Sequence, residues 1–348
     1  MNKFILTSVL TLLSFNANAK FKCLSNNGYS DHQPLFSVEL EHSKYAPVTG
    51  EVKLKKSFSG FDAVFDSEDD DDGDGLTDLL ANPVFVSYHL KGVQPDESGE
   101  YHEPEVSIKR PSDWYKSPEF DFLWNNRPEV SVKRIDNSYD GIGAVWNRGH
   151  WAMSDHVQRI SPEAACNTHN FWNASPQAKD LNQGPWRHLE NYSAAASNKF
   201  GEVWIITGPI FDKNKTIYYI GDEKEIPVAV PHALFKVLIR EAGDSVDVLP
   251  FIYEQENELA LTGKYKGKPI PSAAWVNCNK AGKGGHQYRH SQNLVSLAEI
   301  EMRTGLTFFS SIEENKRKAL VESKPVKLWV IESKYWDKSS YCGKFPPL

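Results

Sequence analysis

Residues 146–190 bring together an imidazole, a guanidinium, a carboxamide and a carboxylate. His150 and Arg148 lie in the run Trp146-Asn147-Arg148-Gly149-His150, and Asn182 and Glu190 follow. That set suits hydrolysis of a phosphodiester with one hard metal ion. The histidine can take a proton from water. The amide oxygen and the carboxylate suit Mg²⁺, which prefers oxygen ligands and keeps several waters. The arginine can stabilise charge on the phosphate. Taken singly, each residue has an ordinary explanation as a cap, a core group or a solvated side chain. The combination is what carries chemistry.

The elements that must position these groups are partly readable. Residues 33–41 and 83–90 read as strands from their β-branched and aromatic content, as do 201–211, 227–240 and 246–253. Residues 185–200 read as a helix, with Pro185 in the first turn and Gly201 to end it. A second helix spans 294–303, closed by Gly305. On this reading Asn182 lies just before a helix, Glu190 lies one to two turns within it, and Gly149 leaves room for backbone close to a substrate. The glycine-rich run from Lys280 to His290 reads as a basic loop, either one that tracks a phosphate backbone or a solvated surface insertion. Strands and helices without regular alternation indicate an α+β fold.

Several segments together carry a resemblance. Trp146-Asn-Arg-Gly-His150 resembles the Asp-Arg-Gly-His signature of the DNA/RNA non-specific endonucleases, which include secreted bacterial nucleases and mitochondrial endonuclease G. Asn173-Ala-Ser-Pro-Gln177, Asp180 to Glu190, Val203 to Ile210, Val228 to Lys236 and Glu299 to Phe309 are similar to further segments of that family, in order. The resemblance implies a ββα-metal core with a mostly antiparallel central sheet and flanking helices. It implies that His150 is the general base, Asn182 the direct Mg²⁺ (or Mn²⁺) ligand, and Glu190 a carboxylate that holds metal-bound water. It adds Asn173 as a second active-site asparagine, Arg148 as the signature arginine and Arg110 as an upstream phosphate-binding arginine. The expected partners are DNA and RNA. Asn147 replaces the usual aspartate, and Met153 stands where a proline is common.

The rest of the chain bounds the setting. Residues 1–19 read as a secretory signal peptide, with an apolar run too short for a membrane span. We expect a secreted or periplasmic protein with no membrane segment after cleavage. Residues 20–82 form an N-terminal extension, 83–312 the nuclease core, and 313–348 a C-terminal extension packed on it. Cys23, Cys166, Cys278 and Cys342 suggest two disulfides, for which we favour Cys23–Cys342 and Cys166–Cys278. The net charge of −7 is concentrated between Asp66 and Asp78, so the remainder is nearly balanced and admits a local basic cleft. In that acidic segment Asp70, Asp72, Asp74, the Leu76 carbonyl and Asp78 have calcium-loop spacing, although position 12 is Ala81. A disordered acidic loop is the alternative. The leading function is a metal-dependent endonuclease. The alternatives are an exported calcium-dependent binding protein on a degenerate nuclease scaffold, and a phosphodiesterase for small nucleotides.

Overall fold

Strand alternation sets the architecture, because successive side chains in a strand face opposite sides of the sheet. The computed structural model describes residues 21–23, 40–50, 53–67, 80–104, 108–125, 127–255, 257–258, 268–269, 275–284 and 286–337. We label the elements used below in chain order. The strands are β1 (Lys53–Ser57), β2 (Asp62–Asp66), β3 (Pro83–Lys91), β4 (Trp146–His150), β5 (Ala174–Ala178), β6 (Glu202–Ile210), β7 (Ala233–Ala242) and β8 (Ser245–Glu254). The helices are α1 (Arg187–Phe200), α2 (Cys278–Gly284), α3 (Leu297–Thr304) and α4 (Glu314–Glu322).

A six-stranded sheet runs in the order β8-β7-β6-β3-β2-β1, with every pair antiparallel. On one side, Val203, Ile205, Leu234 and Leu238 join a core with Leu189, Tyr192, Ala195 and Ala196 of α1. On the other side, Trp204, Ile206, Phe235, Val237 and Ile239 pack with Leu297 and Ile300 of α3 and Val321 of α4. The molecule is therefore layered helix, sheet, helix. β4 and β5 form a separate antiparallel hairpin on the α1 side, with His150 opposite Ala174 and Trp146 opposite Ala178. Hairpin and α1 together make the ββα unit, and the expected α+β class with an antiparallel central sheet holds.

The expected strands at 83–90, 201–211 and 246–253 are present as β3, β6 and β8. The expected strand over 227–240 is two, Val228–Val230 and β7, separated at Pro231, which cannot donate a ladder hydrogen bond. Of the expected strand at 33–41, residues 33–39 lie outside the described residues, and Leu40 and Glu41 are not in a strand. β1 and β2 extend the sheet upstream of residue 83. Helix α1 ends at Gly201, whose φ of +89° suits glycine. α3 is capped by the Ser296 hydroxyl, which accepts from Glu299 N–H at 3.3 Å, and it ends on Gly305 at φ +72°.

Two expectations are corrected. Cys23 bonds Cys166, not Cys342. The short parallel pair Phe21–Lys22 with Ile108–Lys109 lays the N-terminal segment beside the helix Pro162–Asn167 that carries Cys166, with Cα atoms 5.6 Å apart. The expected Cys166–Cys278 bond is thereby excluded, although Cys278 is itself disulfide-bonded. The glycine-rich run is not a surface loop throughout: its start is α2, and His290 at its end is buried and hydrogen-bonded to His188 and Tyr253. The C-terminal segment returns across α1. There Tyr192 donates to the Trp329 carbonyl at 3.0 Å and Asn198 to that of Tyr335 at 2.9 Å. Among the described residues no helix is long and apolar enough to cross a membrane.

Candidate active site

Arg148 and His150 are two residues apart in β4, so both face the same side of the hairpin. They line a cleft of about 480 Å³ with Arg110, Asn182 and Glu190. Five of the six core site residues read from the sequence thus converge. Asn173, the sixth, does not line this cleft.

His150 sits at the end of β4 between two rings. Trp114 lies 4.7 Å away and His169 lies edge-on at 4.8 Å, both between ring centroids. Burial holds the imidazole well below its ordinary pKa, and the nearby His169, Arg110 and Arg148 add to this. A neutral imidazole is the form that can accept a proton. Burial also lowers His169, to about 4. The Arg148 guanidinium stands 5.4 Å from the Trp114 ring centre, a cation–π contact that braces it at the cleft wall. Arg110 is exposed at the rim.

Asn173 is fully buried behind His150. Its Oδ1 accepts from Ala152 N–H at 2.7 Å, and its Nδ2 donates to the carbonyls of Ala152 at 2.9 Å and Thr168 at 3.0 Å. It ties down the backbone that follows His150. Gly149 also differs from expectation. A Cβ there would come 2.0 Å from the Gln177 side chain of β5, so the glycine accommodates the partner strand rather than a substrate.

Asn182 opens a wide turn, Asn182–Trp186, that leads into α1. Its Nδ2 donates to Asn147 Oδ1 at 3.0 Å, which leaves its own Oδ1 as the amide atom available to a ligand. Glu190 lies in the first turn of α1 and is 5 % exposed. Burial raises its pKa, opposed by Lys236, whose Nζ is 3.8 Å away on β7. Lys236 is fully buried, and burial lowers its pKa, opposed by Glu190. Its ammonium has no hydrogen-bond partner among the described residues and lies 4.4 Å from the Trp186 ring centre. The Glu190 carbonyl accepts from His156 Nε2 at 3.1 Å, so His156 Nδ1 accepts from the Tyr88 hydroxyl, also at 3.1 Å.

The donor set fits a hard divalent ion. Asn182, Glu190 and Asp155 bring oxygen donors to the same cleft. Among the described residues no three His, Cys, Asp or Glu side chains converge as a metal cluster. The calcium-like residues Asp70, Asp72, Asp74, Leu76 and Asp78 lie outside the described residues. Sequence reasoning did not single out Trp114, His156, His169 or Gln183. It noted Lys236 only as part of a matching strand. A lysine alternating with Leu234 and Leu238 in an apolar strand was the available signal, since a buried cation needs a partner.

Residues 76–315 match the profile of the DNA/RNA non-specific endonucleases. The mitochondrial nuclease EXOG of Mus musculus is 32% identical over 201 residues, covering 55% of this chain and 47% of that protein. Human mitochondrial endonuclease G is 31% identical over 142 residues, covering 38% of this chain and 46% of that protein. Nuclease C1 of Cunninghamella echinulata is 31% identical over 193 residues, covering 53% and 66%. The chain spans about half the length of the first two relatives. A crystal structure of an EndoG/EndoGI complex shares the fold, with a TM-score of 0.52 and 18% identity over 80% of this chain and 94% of that one. With its matching segment covering most of the described site and sheet, the chain belongs to the DNA/RNA non-specific endonuclease family.

Proposed function

We propose that the chain is an exported, metal-dependent endonuclease that hydrolyses phosphodiester bonds of DNA and RNA with little sequence preference. The observation that carries this reading is the single cleft shared by Arg110, Arg148, His150, Asn182 and Glu190. Asn182 Oδ1 would hold Mg²⁺ or Mn²⁺ directly, and Glu190 would hold a water on it. The ion supplies charge neutralisation at the phosphate and the leaving oxygen. His150, kept neutral by burial, takes the proton of the attacking water. Arg148 and Arg110 bind phosphate oxygens, contacts that carry no sequence information. Export is supported by the signal-like residues 1–19 and by disulfide bonding at Cys23, Cys166 and Cys278. From the calcium-like spacing of residues 70–78 we also propose a bound Ca²⁺, whose addition should raise the melting temperature without affecting cleavage.

The test is digestion of supercoiled plasmid and of single-stranded RNA by the purified chain. Cleavage of both with Mg²⁺ or Mn²⁺, abolished by EDTA, is expected. Cleavage indifferent to EDTA, or none with either ion, contradicts the reading.

A further inference from the structure

Three side-chain amides link the candidate metal ligand, itself an amide, to the start of α2. Asn277 Oδ1 accepts from the backbone N–H of Asn279 at 2.9 Å. Asn277 Nδ2 donates to Gln183 Oε1 at 2.9 Å. Gln183 Nε2 donates to Asn147 Oδ1 at 3.1 Å, and Asn182 Nδ2 donates to the same oxygen at 3.0 Å. The segment carrying Asn277 is held close. A Cβ on Gly184 would come 2.4 Å from the Val276 carbonyl, and Cys278, next in sequence to Asn277, is disulfide-bonded.

The direction of this chain is not arbitrary. A backbone N–H can only donate, so it fixes the oxygen of Asn277 toward Asn279 and the nitrogen toward Gln183. Gln183 must then present its oxygen to Asn277 and its nitrogen to Asn147. Asn147 answers with its oxygen, and Asn182 with its nitrogen. The one amide atom left for a cation is Asn182 Oδ1. A carboxylate at position 147 would accept in either orientation, whereas an asparagine has to be oriented. We propose that Asn147, Gln183 and Asn277 are positioning residues whose hydrogen-bond polarity, set by the Asn279 N–H, points the Asn182 oxygen at the metal. This rests on the reading of Asn182 as a metal ligand.

The relay makes a prediction opposite in sign to simple charge attraction. Asn277→Asp still accepts from Asn279 but cannot donate. Gln183 then turns its nitrogen toward residue 277 and its oxygen toward Asn147. Asn147 must present its nitrogen, and Asn182 turns its oxygen inward. Gln183→Glu forces the same reversal, because it too is acceptor-only. Each variant adds a negative charge near the site, which by Coulomb attraction alone would tighten cation binding.

The experiment is a Mn²⁺ titration of the disulfide-intact full chain, followed by electron paramagnetic resonance of free Mn²⁺, with folding checked by circular dichroism. Asn277→Asp and Gln183→Glu are each expected to weaken binding about tenfold, the scale of one hydrogen bond lost from a ligand network. Asn147→Asp is expected to bind at least as tightly as the parent. In the double variant Asn147→Asp/Asn277→Asp the loss is expected to disappear, since an aspartate needs no orienting. Should Asn277→Asp unfold, Gln183→Glu carries the same test. Binding by both reversal variants as tight as the parent's, while Asn182→Ala is weakened, overturns the relay and leaves the metal reading intact. Parent binding absent, or unchanged in Asn182→Ala, overturns the metal reading and the relay with it.

Discussion

Phe235 and Lys236 are neighbours in β7, both shut off from water, and they face opposite sides of the sheet. Phe235 packs in an apolar layer with Ile206, Leu297 and Ile300. Lys236 meets Glu190 and the face of Trp186. The near side also buries His156, His169 and Asn173, with His150 set among Trp114 and His169. Burying such groups is costly unless they are well partnered, and apolar replacements of a buried ion pair are often at least as stable. The far layer is an apolar cluster, whereas the near layer combines a larger apolar core with these buried polar groups. Under the proposed function, those polar groups serve the chemistry of the cleft.

The contrast is broken most severely by neutralising the near pair. Glu190→Gln combined with Lys236→Met should cut nuclease activity by at least about 10-fold to 100-fold, as loss of support around a metal does. Its stability to urea should equal or exceed the parent's by about 1–4 kcal/mol. A double variant that is both active and less stable would show that the pair is structural. Phe235→Ala should do the reverse. It should lose about 3–5 kcal/mol of stability while turnover per folded molecule stays unchanged. A turnover defect in protein shown to be folded would mean that the two layers are not separable.

The buried imidazoles make stability depend on pH. Burial lowers the pKa of His150, His156, His169 and His290 in the fold, whereas the unfolded chain titrates near 6.5. Below pH 6.5 the unfolded chain binds protons that the fold does not. Stability should therefore fall as pH drops from 6.5, by up to about 1.4 kcal/mol per pH unit for each histidine. These groups contribute no pH dependence above that window. Urea unfolding between pH 7 and 5 checks this, and an equal midpoint throughout would contradict it. The smallest effect concerns the rim. Arg110→Ala should weaken substrate binding and reduce its salt dependence by about one phosphate contact. An unchanged slope of log affinity against log salt would remove Arg110 from the interface.

The site was legible where its residues are close in sequence and the fold keeps them so. Arg148 and His150 share a strand face because they are two apart. Asn182 and Glu190 frame a helix start that Pro185 and Gly201 mark. What was not legible depends on register between distant segments. Lys236 reaches Glu190 only because β7 pairs with β6 and α1 lies over that face. The Cys23–Cys166 bond depends on a two-residue parallel strand pair with no pattern of its own. Asn173 reads as an active-site amide, yet its hydrogen bonds turn it to backbone. The run from Lys280 reads as loop because glycines are poor helix formers; the Asn277 cap and the neighbouring disulfide hold α2.

The roles proposed for His150 and Asn182 are separable although both line one cleft. Single-turnover cleavage of a short duplex across a range of Mn²⁺ concentrations separates them. His150→Ala should lower the rate by about 10²–10⁴-fold at every concentration, as loss of a general base does. Asn182→Ala should recover part of its rate as Mn²⁺ rises. A His150→Ala variant that keeps near-normal turnover, or that added metal alone restores, would contradict the assignment of the site.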